Sequence, residues 1–106
     1  MHDDILILTC LAAECDIPPR DLLGASKRRR ATEARMLLTY LLVTDLQWPI
    51  KRAAWFVGRD RSTAQHAVET VRRRIDDVCP DADPWWRNTV QATRARLVYL
   101  RREVAA

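Results

Sequence analysis

Gly58-Arg59-Asp60-Arg61-Ser62-Thr63 gathers the densest set of reactive groups in the chain. It holds two guanidinium groups, a carboxylate and two hydroxyls, and Gln65 and His66 follow within a turn. An arginine can donate two parallel hydrogen bonds to the O6 and N7 of guanine. A glutamine can pair with adenine, and an aspartate can accept from the amino group of cytosine. If Asp60 caps a helix, these side chains stand at its N-terminal end, where backbone N–H groups also attract phosphate. A second cluster, Lys27-Arg28-Arg29-Arg30, follows Gly24-Ala25-Ser26. Such a run is either a solvated face or the contact for a polyanion. Lys51 and Arg52 open a further short segment, where phosphate contact competes with a plain solvated helix end.

Other chemistry is poorly supplied. Cys10, Cys15 and Cys79 have no metal-ligand spacing, and Cys10 and Cys15, five apart, do not face each other on a helix. No cysteine–histidine, serine–histidine–acid or paired-carboxylate arrangement is visible, and no phosphate-binding loop of the glycine-rich lysine type is present. The expectation is a protein that is not an enzyme and needs no cofactor or metal. An odd cysteine count without a signal peptide points to a reduced, cytoplasmic protein with no membrane partner. The apolar run Ile5-Leu6-Ile7-Leu8 is far too short to span a bilayer.

The charge is unevenly distributed. The 106 residues carry a net charge of +4, with 16 arginines against 2 lysines, a bias that a GC-rich genome alone can produce. Residues 1–26 carry −4, residues 27–74 carry +8 and residues 75–106 carry zero. A basic middle stretch, nearly half of an otherwise balanced chain, is the footprint of a polyanion partner.

The elements that must hold these groups are helical. With two glycines, Gly24 and Gly58, the chain has few left-handed positions for an all-β fold. Asp3 or Asp4 is expected to cap a helix over 5–15, and Ile17-Pro18-Pro19 stops it. A single turn over 19–23 precedes the basic run. Ala34, Leu37, Leu38, Leu41 and Leu42 recur at spacings of three and four, so a central helix should run over 31–46 until Trp48-Pro49 ends it. A short helix over 50–57 is broken by Gly58. The next, over 61–78, carries the stripe Ala64, Ala67, Val68, Val71, Ile75 and Val78, and Pro80 stops it. Asp83-Pro84 starts a last helix over 85–104 with the stripe Trp86, Val90, Thr93, Leu97, Leu100 and Val104. Trp85, Val98 and Tyr99 lie off that stripe. The fold class is all-α, five helices plus one short turn. Residues 1–84 form the core and residues 85–106 a C-terminal helix that either packs on it or meets a partner.

Ala53-Ala54 permits close helix approach, Gly58 supplies a turn, and a polar, basic N-terminus opens the following helix. This is a helix-turn-helix layout, whose second helix enters the major groove by its N-terminal end. Two packed helices in any α-domain look similar, so the pattern alone leaves both readings standing.

Over about residues 5–78 the chain resembles the C-terminal DNA-binding domain (domain IV) of the bacterial replication initiator DnaA, a relative of the Trp-repressor fold. The likeness rests on Leu22-Leu23 before a basic loop, on Ala34-Arg35 leading the central helix, and on Gly58-Arg59-Asp60-Arg61-Ser62-Thr63 with His66-Ala67. It implies that Lys27, Arg28, Arg29 and Arg30 reach into the minor groove. It implies too that Arg59, Asp60, Arg61, Ser62 and Thr63 read bases in the major groove. Arg35 matches the family arginine at the start of the central helix; a phosphate contact, a pairing with Glu33 or Asp45, and a role that only covers a core edge stay open. For His66 a surface or satisfied role competes with a DNA contact. Arg72-Arg73-Arg74 favour the helix dipole whether or not DNA is bound. Two departures stand out. Arg61 replaces the family histidine, which should favour guanine, and a single glycine precedes Arg59 where the family has a pair.

The initiator's ATPase module cannot fit in 106 residues, so the expected function is a stand-alone, sequence-specific transcription regulator, an activator, bound to double-stranded DNA. Such readers are similar to the DNA-binding part of the gene-transfer-agent activators of alphaproteobacteria, where a sigma-factor-like chain can accompany the reader. RNA polymerase, a sigma-factor-like protein, or a second copy through the C-terminal helix are the candidate protein partners. The alternatives are a replication modulator competing for initiator boxes and a protein-interaction adaptor on the same fold.

Overall fold

The computed structural model describes residues 2–76 and 83–105. Among them the chain forms six helices and no strand. They are α1 (Asp3–Cys15), α2 (Pro19–Leu23), α3 (Arg29–Thr44), α4 (Ile50–Phe56), α5 (Arg61–Asp76) and α6 (Trp85–Ala105). The expected single turn is α2, and the five expected longer helices are the others. Val78, Cys79 and Pro80, named above as the end of α5, lie outside the described residues.

Local chemistry sets most boundaries. The α1 N-cap position is His2, with no side-chain cap bond. Asp3 and Asp4 occupy its first turn, where Asp4 Oδ1 accepts the Ile5 N–H at 2.8 Å and a carboxylate favours the helix dipole. At its end Asp16 turns left-handed (φ 54), and the N–H groups of Asp16 and Ile17 return to the carbonyls of Ala13 and Ala12. That Schellman pattern satisfies the orphan carbonyls. Helix α3 ends at Thr44, two residues earlier than expected. Gln47 adopts φ 56 and the Trp48 N–H bonds back to Leu42, so the turn precedes Trp48-Pro49. Gly58, at φ 68, turns the chain out of α4, and the Arg59 N–H bonds to the Ala54 carbonyl. Asp60 accepts the Thr63 N–H at 2.7 Å as the expected N-cap of α5, and Asp83 accepts the Trp85 N–H at 3.0 Å before α6.

Helix α3 is central and packs against α1, α2, α4 and α5. Leu37, Leu38, Leu41 and Leu42 are fully buried along it, against Ile7 and Leu11 of α1, Leu22 of α2, Val57 and Val71. Helix α6 lies on α1 and touches α5. Its Trp86, Val90 and Leu97 belong to the same apolar cluster, and Thr93 between them is buried with its hydroxyl on the Thr89 carbonyl. Of the two alternatives for the C-terminal helix, the described residues show packing on the core, with the α6 stripe covering α1. Trp85, expected off the stripe, is half-buried edge-on to Trp86, while Val98 and Tyr99 are exposed. No helix among the described residues is long and apolar enough to cross a membrane.

Candidate nucleic-acid interface

Two neighbouring features present the polar groups. One is the loop between α2 and α3 with the first residues of α3. The other is the α4–α5 turn with the N-terminal turns of α5.

Apolar positions at every third or fourth residue orient α5. Ala64, Ala67, Val68 and Val71 are buried, so Arg61, Ser62, Gln65, His66 and Glu69 face outward. Arg61 has no intramolecular hydrogen bond or ion pair among the described residues. Gln65 reaches Glu69 only at 3.5 Å, and the His66 ring lies 3.4 Å from the Thr70 hydroxyl. Thr63 is exposed, and its N–H and hydroxyl both hold the Asp60 carboxylate, lowering its pKa below the ordinary aspartate value. Asp60 is thereby engaged as a cap at the very end of the helix. Lys51 is exposed in the first turn of α4, and Arg52 stacks on the Trp48 ring at 3.8 Å. Arg72, Arg73 and Arg74 are exposed toward the other end of α5.

The basic run divides. Lys27, Arg28 and Arg29 are exposed, with Arg29 3.4 Å from Glu33. Arg30 is held on the far side. It pairs with Glu33 at 3.3 Å and Asp83 at 3.8 Å, and its guanidinium lies 4.2 Å over the Trp85 ring. Arg30 stays exposed, so its intramolecular pairs compete with the expected minor-groove reach.

Of the alternatives for Arg35, the core-side one fits the fold. The residue is 6% exposed, and its guanidinium lies beneath the loop rather than on a phosphate-facing surface. Nε donates to the Leu22 carbonyl at 2.7 Å, and Nη2 to those of Asp21, Gly24 and Ser26 at 3.0–3.2 Å. Neither Glu33 nor Asp45 is its partner. Burial, and then the nearby Arg59 charge, lower its pKa. Arg59, expected to read bases, instead donates to the carbonyls of Val57 and Gly58 and, across 35 residues, to that of Gly24 at 3.0 Å. The Gly24 carbonyl accepts from both arginines.

Sequence reasoning missed this junction. Its signal was Gly24, whose φ of −89 suits any residue. What forbids a side chain is space: a Cβ there would meet the Arg20 carbonyl oxygen at 2.7 Å. Trp55 was missed as well. It is 82% exposed on α4, one turn from Lys51, whereas Ala53 and Ala54 face inward as expected.

A short helix, a left-handed glycine turn and a capped second helix with an outward polar N-terminus define a helix-turn-helix DNA-binding domain. A comparison with family models agrees, matching residues 5–71 to the bacterial DnaA protein helix-turn-helix. The chain belongs to that family, and DNA binding follows from the membership. The match covers α1 to α5 up to Val71 and leaves α6 outside it. No solved structure matches the chain.

Proposed function

We propose that the protein is a sequence-specific regulator of transcription, acting as an activator on double-stranded DNA. The observation that supports this reading is the outward N-terminal face of α5, where Arg61 has no partner among the described residues and Ser62, Gln65 and His66 stand beside it. In the reading, the first turns of α5 enter the major groove. Arg61 donates to a guanine edge, Gln65 reaches an adenine, and Ser62, Thr63 and His66 line the remaining contact. Lys27, Arg28 and Arg29 enter the adjacent minor groove, where cations read groove width and A·T richness. Lys51 takes a phosphate, and Arg52 lies near it on its Trp48 support.

Genome-wide occupancy mapping tests it. Peaks at promoters, with transcript changes on deletion, are expected. Peaks confined to the replication origin would replace it with a modulator that excludes the initiator. Binding should also weaken steeply with salt. Neutralising about five to seven phosphates gives a log–log slope of roughly −4.5 to −6. A slope near zero would point instead to a protein-interaction adaptor.

A further inference from the structure

We propose that Arg59 is a positioning residue that locks the basic loop to the recognition helix, so that the two groove readings keep one fixed spacing. The inference rests on the DNA-binding reading and goes beyond it by taking Arg59 out of the base-reading set.

The α2–α3 loop between Gly24 and Arg28 has no ladder or helix of its own. An untethered loop of this kind samples many positions, and ordering it on DNA would weaken binding. Two side chains hold it here. Arg35, from α3, fixes the carbonyls of Gly24 and Ser26. That anchors the loop to α3 and reaches the recognition helix only through the packing of α3 on α5. Arg59 adds a direct link. Its backbone N–H closes the α4–α5 turn on Ala54, and its guanidinium holds the Val57 and Gly58 carbonyls of the same turn. The remaining arm crosses to Gly24 at 3.0 Å. One residue is thus rigidly part of the turn and bonded to the loop.

The arrangement has an electrostatic cost, since two cations converge on one carbonyl and Arg59 lowers the Arg35 pKa. Hydrogen bonds to charged donors are stronger than neutral ones, and together Arg35 and Arg59 make seven to backbone carbonyls, which offsets the repulsion. The geometry also requires Gly24. A Cβ would collide with the Arg20 carbonyl and displace the acceptor on which both arginines converge.

The test is selection of binding sites from random duplex DNA with the full chain, using wild type, Arg59→Gln and Gly24→Ala, each checked by thermal unfolding. Wild type should select an A·T-rich element at a single spacing from the core bases. Both variants should keep the core bases but spread that spacing over several base pairs. They should bind the full site about tenfold more weakly, with binding to the core alone unchanged. Loss of preference at one core base pair in Arg59→Gln, with the spacing intact, would make Arg59 a base reader and overturn the proposal. Unchanged spacing in both variants would overturn it too. Failure of both to fold would reduce Arg59 to a stability residue. Absence of any selected site for wild type would instead sink the underlying DNA reading.

Discussion

Helices α5 and α6 are both amphipathic and rich in arginine, yet they dispose of their charge in opposite ways. On α6, Arg94 forks onto Asp45 at 2.9 and 3.0 Å, Arg96 meets Glu14 at 2.7 Å and Arg101 lies 3.5 Å from Asp3. Arg87 donates to the Ile75 carbonyl. On the N-terminal turns of α5, Arg61 has no such partner among the described residues. The difference shows what makes a cation available: not the arginine count but where the fold puts the acids. Asp3 and Glu14 come from the acidic first quarter, which packs through α1 onto α6 and away from α5.

The largest effect should fall on α6. Trp86 is 4% exposed in the core, so Trp86→Ala should cost about 3–5 kcal/mol in urea unfolding. Deleting residues 85–106 should leave an insoluble or unfolded chain. A truncated protein with an unchanged unfolding midpoint would show that α6 merely docks, and the contrast with α5 would be wrong. On α5 the corresponding change should spare stability and alter recognition. Arg61→Ala should cost about 1–3 kcal/mol on the best site and relax preference at one base pair. Arg61→His should shift preference toward the initiator's box. If wild type and Arg61→Ala select the same consensus, Arg61 touches only backbone.

Lys51→Ala should weaken all sequences alike and reduce the salt slope by about one. A change in consensus instead would bring α4 into base reading. Smaller again, Arg94→Ala should cost roughly 0.5–1 kcal/mol, because its pair with Asp45 is partly exposed. Salt should shrink that difference, and a difference that persists in molar salt would mark the contact as packing. The smallest effect is the pH dependence of the Asp60 cap. Its folded-state pKa is lowered by the Thr63 bonds, so its contribution is complete above the ordinary aspartate range. It is lost as pH falls through the depressed value. Asp60→Asn keeps a cap without titrating, and its stability should fall less between pH 5 and acid. Parallel acid profiles would remove the cap from the account.

Much of the frame was legible. Pro18-Pro19, Gly58 and Asp60 punctuate the chain at boundaries close to the expected ones, because caps, prolines and left-handed glycines act within a few residues. The α5 stripe likewise showed which face carries Arg61 and Gln65. The site was legible only in outline. Arg30, Arg35 and Arg59 sit among the expected DNA contacts in sequence, yet each also has partners within the chain: Arg30 on Asp83 at the surface, Arg35 on the loop carbonyls and Arg59 on Gly24. Adjacent arginines look alike when their partners are distant. Trp55 escaped notice for the opposite reason: an aromatic beside Ala53-Ala54 reads as core until the helix is oriented.

By itself the sequence determined the helices, the glycine turn, the Asp60 cap and a basic stretch next to a polar helix start. These depend on local sterics, backbone hydrogen bonding and 3.6-residue periodicity. Only the tertiary structure decided which cations remain for a partner. The deciding bonds join residues 35, 49 and 82 positions apart: Arg59 to Gly24, Arg94 to Asp45 and Arg96 to Glu14. No short-range pattern encodes such pairings. They exist because packing α6 on α1 and α5 on α3 brings those groups within hydrogen-bonding distance.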